Sequence, residues 1–248
     1  MSSEQPLPIS LDQILGGRLT LAQPRDGYRA AIDPVLLAAA VPAAAGERVL
    51  DLGCGVGTAG LCVVRRVEGC HVMGIDVQPA LIELAQRNAR DNALADRATF
   101  HVGDVLHLTE PAFDHVLANP PYLERARASV SPNPIKALAN VEGDAMLKDW
   151  VVAASTAVKP GGSITFIHRA DRAEELRAEM GRGLGRLHLR PLLPKEGMPA
   201  KRILLQGIRG APAGFEILPP LVLHEASGGF TEAAEAILRR AAAFSMMP

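Results

Sequence analysis

The sequence VLDLGCGVGT, residues Val49–Thr58, decides the fold of this chain. It opens on an apolar strand pattern that ends in Asp51, passes through a turn with three glycines and leads into a helical pattern. A glycine turn lets the backbone approach a ligand closely, and ligands of open α/β sheets lie at the carboxyl ends of the strands. The stretch therefore predicts a strand, a ligand-binding turn and a helix. The residues expected to line that turn are Gly53, Cys54, Gly55 and Gly57.

Strand and helix patterns alternate downstream of this turn. Strand patterns occupy residues 48–51, 71–76, 99–102, 115–118 and 163–167, and helical patterns occupy 58–67, 79–92 and 145–158. This alternation predicts an α/β fold with a mostly parallel sheet and helices on both faces. Further along, residues 187–193 and 202–209 predict an antiparallel pair, 216–224 predict a strand interrupted by two prolines, and 230–244 predict a closing helix.

Residues 1–45 precede this pattern. We expect them to form an N-terminal lead-in that packs on the active site, whereas residues 46–248 form the main domain. Turn signals at Gly16-Gly17 and at residues 24–27 divide the lead-in. An apolar run then follows Pro34, which predicts a helix with Pro34 in its first turn and Asp33 as its N-cap.

The composition and charge of the chain limit its function. With 248 residues, 48% hydrophobic and 21% charged, and a formal net charge of −1, it is a globular protein and not one that coats nucleic acid by bulk charge. Residues 169–209 nevertheless hold ten basic and five acidic residues, against 16 basic and 22 acidic residues elsewhere. This basic stretch is either a solvated face or a contact for an anionic partner.

Cysteine and histidine spacing argues against metal. The three cysteines show no CxxC spacing and the seven histidines show no HxxxH or HExxH spacing, so we expect no disulfide framework and no metal site. Residues 1–10 lack the features of a signal peptide, and no apolar stretch reaches the ~18 residues that a membrane span requires. We therefore expect a cytoplasmic protein without a membrane partner, and we favour a monomer.

Two further acids follow strand patterns. Asp76 ends the second strand pattern, about twenty residues beyond the glycine turn, where a carboxylate can accept both hydroxyls of a ribose. Asp104 follows the third strand pattern, where it can reach an adenine amine. Val77 and Val105, each next to one of these acids, are expected to contact the same ligand. Thr58 stands where a dinucleotide fingerprint has its third glycine, which argues against NAD.

Together these motifs resemble the class I S-adenosylmethionine-dependent methyltransferases. The resemblance implies a Rossmann-like fold with a mostly parallel seven-stranded sheet and an antiparallel C-terminal strand, and it implies S-adenosylmethionine as the cofactor. In that family the acid matching Asp51 lies near the methionine end of the cofactor. The acids matching Asp76 and Asp104 bind its ribose and its adenine.

The fourth strand pattern runs directly into Asn119-Pro120-Pro121-Tyr122. An amine conjugated to a ring or a carbonyl is a poor nucleophile because its lone pair is delocalised. The Asn119 side-chain oxygen and the Pro120 carbonyl can accept its two N–H groups, which leaves the lone pair directed at the methyl sulfonium. The prolines stiffen the loop, and Tyr122 offers a flat face to a base. We expect these four residues to be catalytic, with Asn119 also contacting the cofactor.

The segments on either side of the central motifs indicate a more specific family within these methyltransferases. Residues 23–42 and 224–240, together with the Asn-Pro-Pro-Tyr motif, resemble the bacterial valine-tRNA adenine N6-methyltransferases, which modify the adenosine 3′ of the anticodon. This resemblance implies tRNA as the partner and adenine N6 methylation as the activity. The residues expected to bind the substrate are Tyr28, Arg29, Asp33, Tyr122, Arg125 and Arg127.

The sequence is also compatible with other methyl acceptors. The Asn-Pro-Pro-Tyr motif also marks guanine N2 and glutamine amide methyltransferases in the superfamily. The release-factor glutamine enzymes carry a separate N-terminal helical domain, for which the 45 residues of the lead-in leave little room. A guanine N2 enzyme suits the lead-in as well as an adenine enzyme does. A cofactor-binding module that recognises RNA without catalysis is a further alternative, although it would have no use for an amine clamp.

Overall fold

The computed structural model of the chain describes residues 8–25, 32–108, 113–121 and 145–247. Its first element is an antiparallel hairpin of β1 (Ile9–Ile14) and β2 (Leu19–Pro24), joined by a 3-10 turn at Leu15–Gly17. Gly16 is left-handed in that turn, and a Cβ there would lie 2.7 Å from the Arg239 carbonyl oxygen. This close approach explains the glycine of the predicted turn, whereas the two strands beside it were not predicted.

A large sheet forms the centre of the described residues, and seven of its strands make up its main body. These are β3 (Arg48–Leu52), β4 (His71–Asp76), β5 (Ala98–Val102), β6 (Phe113–Ala118), β7 (Val158–Arg169), β8 (Leu184–Lys195) and β9 (Arg202–Arg209). Their order across the sheet is β5-β4-β3-β6-β7-β9-β8. All are parallel except β9, which runs antiparallel to both of its neighbours. The predicted mostly parallel sheet with one antiparallel C-terminal strand is confirmed.

Two short strands extend the sheet beyond β8. They are β10 (Phe215–Ile217) and β11 (Leu221–His224), and both pair parallel to β8. The prolines at 219 and 220 separate them, because proline removes a donor that the ladder needs. The single interrupted strand predicted for 216–224 is therefore two strands.

Helices cover both faces of this sheet. Those of the described residues are α1 (Asp33–Ala40), α2 (Thr58–Arg66), α3 (Pro79–Asp91), α4 (Leu147–Ala157), α5 (Ala173–Met180) and α6 (Glu232–Arg240). Buried residues of α1, α2, α3 and α6 join the hairpin in one apolar cluster, and those of α4 and α5 belong to a second cluster. The predicted bounds of α2, α3 and α4 differ from these by at most two residues. The closing helix is shorter than predicted because Ala241 takes a left-handed φ of 58° and ends it.

The start of α1 corrects one expectation. Pro34 lies in the first turn as predicted, but the N-cap is Ile32, whose side chain makes no capping hydrogen bond, and Asp33 is the first helical residue. The Asp33 carboxylate instead accepts a hydrogen bond from Arg202 Nε at 3.0 Å. This ion pair joins the first turn of α1 to β9.

Helix α5 was not predicted either, because its sequence is dominated by the charges of the basic stretch. Only Leu176 and Met180, four residues apart, are buried in it. No helix among the described residues is long and apolar enough to cross a membrane.

Candidate active site

The glycines of the turn between β3 and α2 serve two different purposes. Gly53, Gly55 and Gly57 all have left-handed φ values, of 67°, 55° and 83°. A Cβ at Gly53 would overlap the Trp150 ring, and one at Gly57 would lie 2.8 Å from Phe100. A Cβ at Gly55 would meet no described atom within 4 Å. Gly53 and Gly57 therefore permit close packing, whereas Gly55 borders open space that a ligand can enter.

Two acids fix this turn through backbone hydrogen bonds. Asp51 Oδ2 accepts from the Gly60 amide at 2.8 Å, which ties the end of β3 to the first turn of α2. Asp76, at the end of β4, accepts from the Gly55 amide at 3.0 Å and from the Gln78 amide at 2.9 Å. The neighbouring strands β3 and β4 thus bring both acids to one edge of the sheet, as parallel pairing requires.

Burial raises the pKa values of the acidic side chains at this edge of the sheet. It raises the pKa of Asp51 to about 7, and the nearby negative charge of Asp76 adds to the rise, although the Gly60 amide opposes it. Burial likewise raises the pKa of Asp76, against the hydrogen bonds from Gln78 and Gly55. Burial also raises the pKa of the Cys54 thiol well above its ordinary value. Cys54 is therefore a neutral wall residue and not a nucleophile at neutral pH.

A cavity of about 360 Å³ opens beside these acids. It brings together most of the residues that the sequence singled out: Asp51, Gly53, Cys54, Gly55, Asp76, Val77, Asp104, Val105, Asn119, Pro120 and Pro121. Gly57 does not line it and instead packs against Phe100. Asp33 does not line it either, although its neighbour Pro34 does. The predicted substrate-binding residues Tyr28, Arg29, Tyr122, Arg125 and Arg127 lie outside the described residues.

The third acid lines the cavity beside the 3-10 turn that follows β5. Asp104 Oδ1 accepts from the Leu106 amide at 2.9 Å and so caps the 3-10 turn Val105–His107. Val77 and Leu106, both lining residues, are 50% and 44% exposed. Large apolar side chains so exposed in a cavity are suited to the faces of a flat ring. This end of the cavity therefore fits an aromatic base whose polar edge meets Asp104.

Asn119 and Pro120 enter the cavity from the adjacent strand. They follow β6 directly, and β6 pairs with β3 up to Ala118 beside Leu52. Asn119 is half-buried and Pro120 is buried. Asn119 and Pro120 therefore line the same cavity as the glycine turn and the acids of β3 and β4.

Trp150 on α4 also belongs to the site, although its sequence position did not indicate this. Its predicted role was core packing, and it is 8% exposed, but its ring also lies against Gly53 and lines the cavity. The indole Nε1, like Thr58 Oγ1 on α2, is buried with no hydrogen-bond partner in the described part of the chain. The chain's only tryptophan stands one turn into a helix, and no spacing in the sequence ties it to the glycine turn.

The comparisons with known proteins agree with this geometry. A family described as a methyltransferase domain matches residues 43–182, more than half of the chain. The chain belongs to this methyltransferase family. The match begins just before β3 and ends after α5, so it contains the glycine turn, the acids and Asn119.

Individual relatives indicate a more specific group of methyltransferases to which this chain is similar. It is 30% identical to the tRNA1(Val) (adenine(37)-N6)-methyltransferase of Actinobacillus pleuropneumoniae serotype 7. The alignment spans 206 residues and covers 81% of this chain and 84% of that protein. It is 27% identical to the enzyme of that name from Haemophilus influenzae, over 81% of this chain and 85% of the relative. The resemblance seen in the sequence is confirmed.

Solved structures share the fold. A predicted O-methyltransferase from Agrobacterium tumefaciens superposes with a TM-score of 0.72 at 28% identity, over 86% of this chain and 98% of that one. TrmN from Thermus thermophilus superposes with a TM-score of 0.51 at 23% identity, over 68% of this chain and 46% of that one. The second likeness supports the fold alone.

The residues of the cavity fit S-adenosylmethionine, the cofactor of this methyltransferase. A carboxylate at the end of β4 suits the ribose, Asp104 with the lining side chains Val77 and Leu106 suits the adenine, and the open side of Gly55 leaves room for the methionine chain. Buried polar atoms without partners, such as Thr58 Oγ1, are rare unless a ligand or water satisfies them. Among the described residues no group of three or more His, Cys, Asp or Glu side chains could hold a metal ion.

Proposed function

We propose that this methyltransferase transfers the methyl group of S-adenosylmethionine to the exocyclic N6 amine of an adenine in tRNA, at position 37 of a valine tRNA. The observation that carries the proposal is the shared cavity: Asn119 and Pro120 line it together with the acids at the ends of β3 and β4. The relatives named above act on that nucleotide, and they align over four-fifths of the chain.

The chain's own residues supply positioning and acceptor oxygens. The Asn119 side-chain oxygen and the Pro120 carbonyl accept the two N–H groups of the amine, so that its lone pair turns away from the ring. S-adenosylmethionine supplies an activated methyl group on a sulfonium leaving group. The new N–C bond forms as the S–C bond breaks, and the surplus proton leaves the nitrogen afterwards. No strong base is required, which agrees with a site in which the lining carboxylates Asp51 and Asp76 accept hydrogen bonds from backbone amides.

The proposed lead-in of residues 1–45 contributes a wall of this site. Pro34, in the first turn of α1, lines the cavity, and the Asp33–Arg202 ion pair holds that turn against β9. We propose that Tyr28 and Arg29, a few residues earlier, and Tyr122, Arg125 and Arg127, just after the clamp, contact the RNA. Their placement in the sequence beside described wall residues supports this role.

We infer that the basic stretch contributes less to RNA binding than its number of basic residues suggests. Within it, Arg169, Arg172, Arg177 and Arg182 each pair with a carboxylate two or three residues away. Such pairs neutralise the positive charge locally. We propose that the tRNA backbone is held mainly by residues next to the clamp, and that the enzyme acts on cytoplasmic tRNA as a monomer.

Labelled methyl transfer into unmodified bulk tRNA, followed by nucleoside mass spectrometry, tests this function. N6-methyladenosine is the expected product. N2-methylguanosine would keep the fold and the clamp but replace the base. Label in a protein fraction and none in tRNA would support the glutamine alternative. Absence of label from every fraction, with cofactor still bound, would support the non-catalytic module.

A further inference from the structure

Two asparagines on α3 bind the free edge of the hairpin strand β2. Asn92 accepts from the Thr20 amide at 2.9 Å and donates to the Thr20 carbonyl at 2.7 Å. Asn88 accepts from the Ala22 amide at 2.7 Å and donates to the Ala22 carbonyl at 3.1 Å. Thr20 and Ala22 alternate along β2, so their backbone groups point to the same side, away from β1. The side-chain amides thus take the place of a neighbouring strand.

The remaining hydrogen bonds of the two asparagines differ. Asn92 Nδ2 also donates to the Asn88 carbonyl at 2.8 Å, which keeps it within α3. Asn88 Nδ2 also donates to the Val56 carbonyl at 3.0 Å. Val56 lies between Gly55 and Gly57 in the glycine turn of residues 53–57, here the cofactor turn, and it lines the cofactor cavity. Asn88, which is 1% exposed, therefore joins the hairpin to the cofactor turn, whereas Asn92 joins the hairpin to the helix alone.

The cofactor turn depends on few such contacts. Within the described ranges, its backbone also bonds to β4 through the Cys54 amide and the Ile75 carbonyl at 2.9 Å and through the Gly55 amide and Asp76 at 3.0 Å. The Gly57 carbonyl accepts from the Leu61 amide of α2 at 2.9 Å. The Asn88 bond comes from α3, where Ala85 lies so close that a Cβ at Gly57 would approach its methyl group to 3.2 Å. Loss of the Asn88 amide would leave a carbonyl next to glycines without its partner, so the turn would relax before the cofactor arrives.

We propose that Asn88 is a positioning residue for the cofactor turn, through which docking of the β1–β2 hairpin supports S-adenosylmethionine binding. Asn88 contacts no reacting atom and acts through the Val56 carbonyl. The inference goes beyond the acceptor assigned above, because it concerns the cofactor turn alone and holds for any methyl acceptor.

The two asparagines provide a matched pair of variants. Asn88→Ala and Asn92→Ala each remove both bonds to one residue of β2, and both are expected to lower the melting temperature. Only Asn88→Ala also frees the Val56 carbonyl. Calorimetric titration with S-adenosylhomocysteine, which needs no acceptor, is expected to show a Kd raised about tenfold in Asn88→Ala. In Asn92→Ala the Kd is expected to stay within about twofold, since the bond to Val56 is intact.

A third variant and a kinetic readout guard against simple unfolding. Asn88→Asp keeps the side-chain volume and the acceptor for the Ala22 amide but loses both donors, so its Kd is expected to rise as in Asn88→Ala. With saturating acceptor, both Asn88 variants are expected to raise the KM for the cofactor and to change kcat per folded molecule by less than about threefold. Equal Kd increases in the Asn88 and Asn92 variants, or an unchanged Kd in a folded Asn88 variant, would overturn the proposal.

Discussion

Polar side chains lie at both ends of the central strands, but they contact one another at the amino end and border a cavity at the carboxyl end. Near the amino end of β6, His115 lies 2.8 Å from Oγ of Ser163 on β7 through Nδ1 and 2.9 Å from Glu47 through Nε2. Beside them, Lys159 donates to Asp114 at 2.7 Å. At the carboxyl end, Asp51 and Asp76 accept from backbone amides, and a cavity remains in front of them.

The polar groups at the carboxyl end border a cavity, whereas those at the amino end contact one another. Serine, histidine and glutamate in hydrogen-bond contact resemble the order of a hydrolytic triad, yet Ser163 is 1% exposed and no substrate can reach it. Side chains that satisfy one another stabilise the strand ends. Carboxylate oxygens that each accept one backbone amide next to a cavity can still accept a further hydrogen bond from a ligand. We therefore expect substitutions at the carboxyl end to change binding and turnover, and substitutions at the amino end to change stability alone.

Asn119→Ala is expected to give the largest effect. The variant removes one of the two oxygens that hold the amine, so kcat should fall at least about 100-fold. The Kd of S-adenosylmethionine, measured by calorimetry, should change no more than a few-fold, because the acids of β3 and β4 remain. A variant that keeps its turnover would rule out the amine clamp and would remove the main functional contrast between the two ends of the sheet.

Asp51→Asn is expected to separate stability from binding. The pKa of Asp51 in the folded chain is about 7, above the ordinary 3.8, so the folded state binds the proton more tightly. The stability contributed by this group is therefore complete below about pH 4 and is lost as the pH rises through 7. Asparagine can still accept from the Gly60 amide but carries no charge. Its melting temperature should match the wild type at pH 4 and exceed it at pH 8.

The same variant should bind the cofactor less well, since the resemblance places this acid at the methionine end. We expect a Kd raised about tenfold at pH 8, as charge-assisted hydrogen bonds are the stronger ones. Asp114→Asn at the amino end is the matched control and should leave the Kd unchanged. Equal melting temperatures of wild type and Asp51→Asn at every pH would contradict the buried charge.

Ser163→Ala is expected to give the smallest effect. Loss of the hydroxyl breaks the bond to His115 and should cost about 1 kcal/mol of unfolding free energy, measured by denaturant titration. Both kcat and the Kd of the cofactor should equal those of the wild type. A fall in turnover without a change in stability would show that the amino end also takes part in function.

Much of the sheet could be predicted because its strands bury continuous apolar runs. The predicted strands at 71–76 and 202–209 match β4 and β9 residue for residue. The glycine turn, the acids after the strands and the residues after β6 meet in one cavity, since parallel strands bring their carboxyl ends to one edge. These are local signals combined with a topological rule.

The parts that could not be predicted depend on distant partners. The edge of β2 is satisfied by asparagines 66 and 72 residues away, and nothing near β2 announces them. Asp33 has the residue type and position of an N-cap, but an arginine 169 residues later is its partner. Trp150 has the pattern of a core residue, and only the three-dimensional contact with Gly53 adds it to the cavity wall.

The most direct test of adenine N6 methylation compares two transcripts of one valine tRNA, one natural in sequence and one with the adenine at position 37 replaced by guanine. We expect methyl transfer from labelled S-adenosylmethionine to the natural transcript as N6-methyladenosine, and none with the replaced transcript or with the Asn119→Ala enzyme. Equal labelling of the two transcripts, or a product other than N6-methyladenosine, would contradict this expectation.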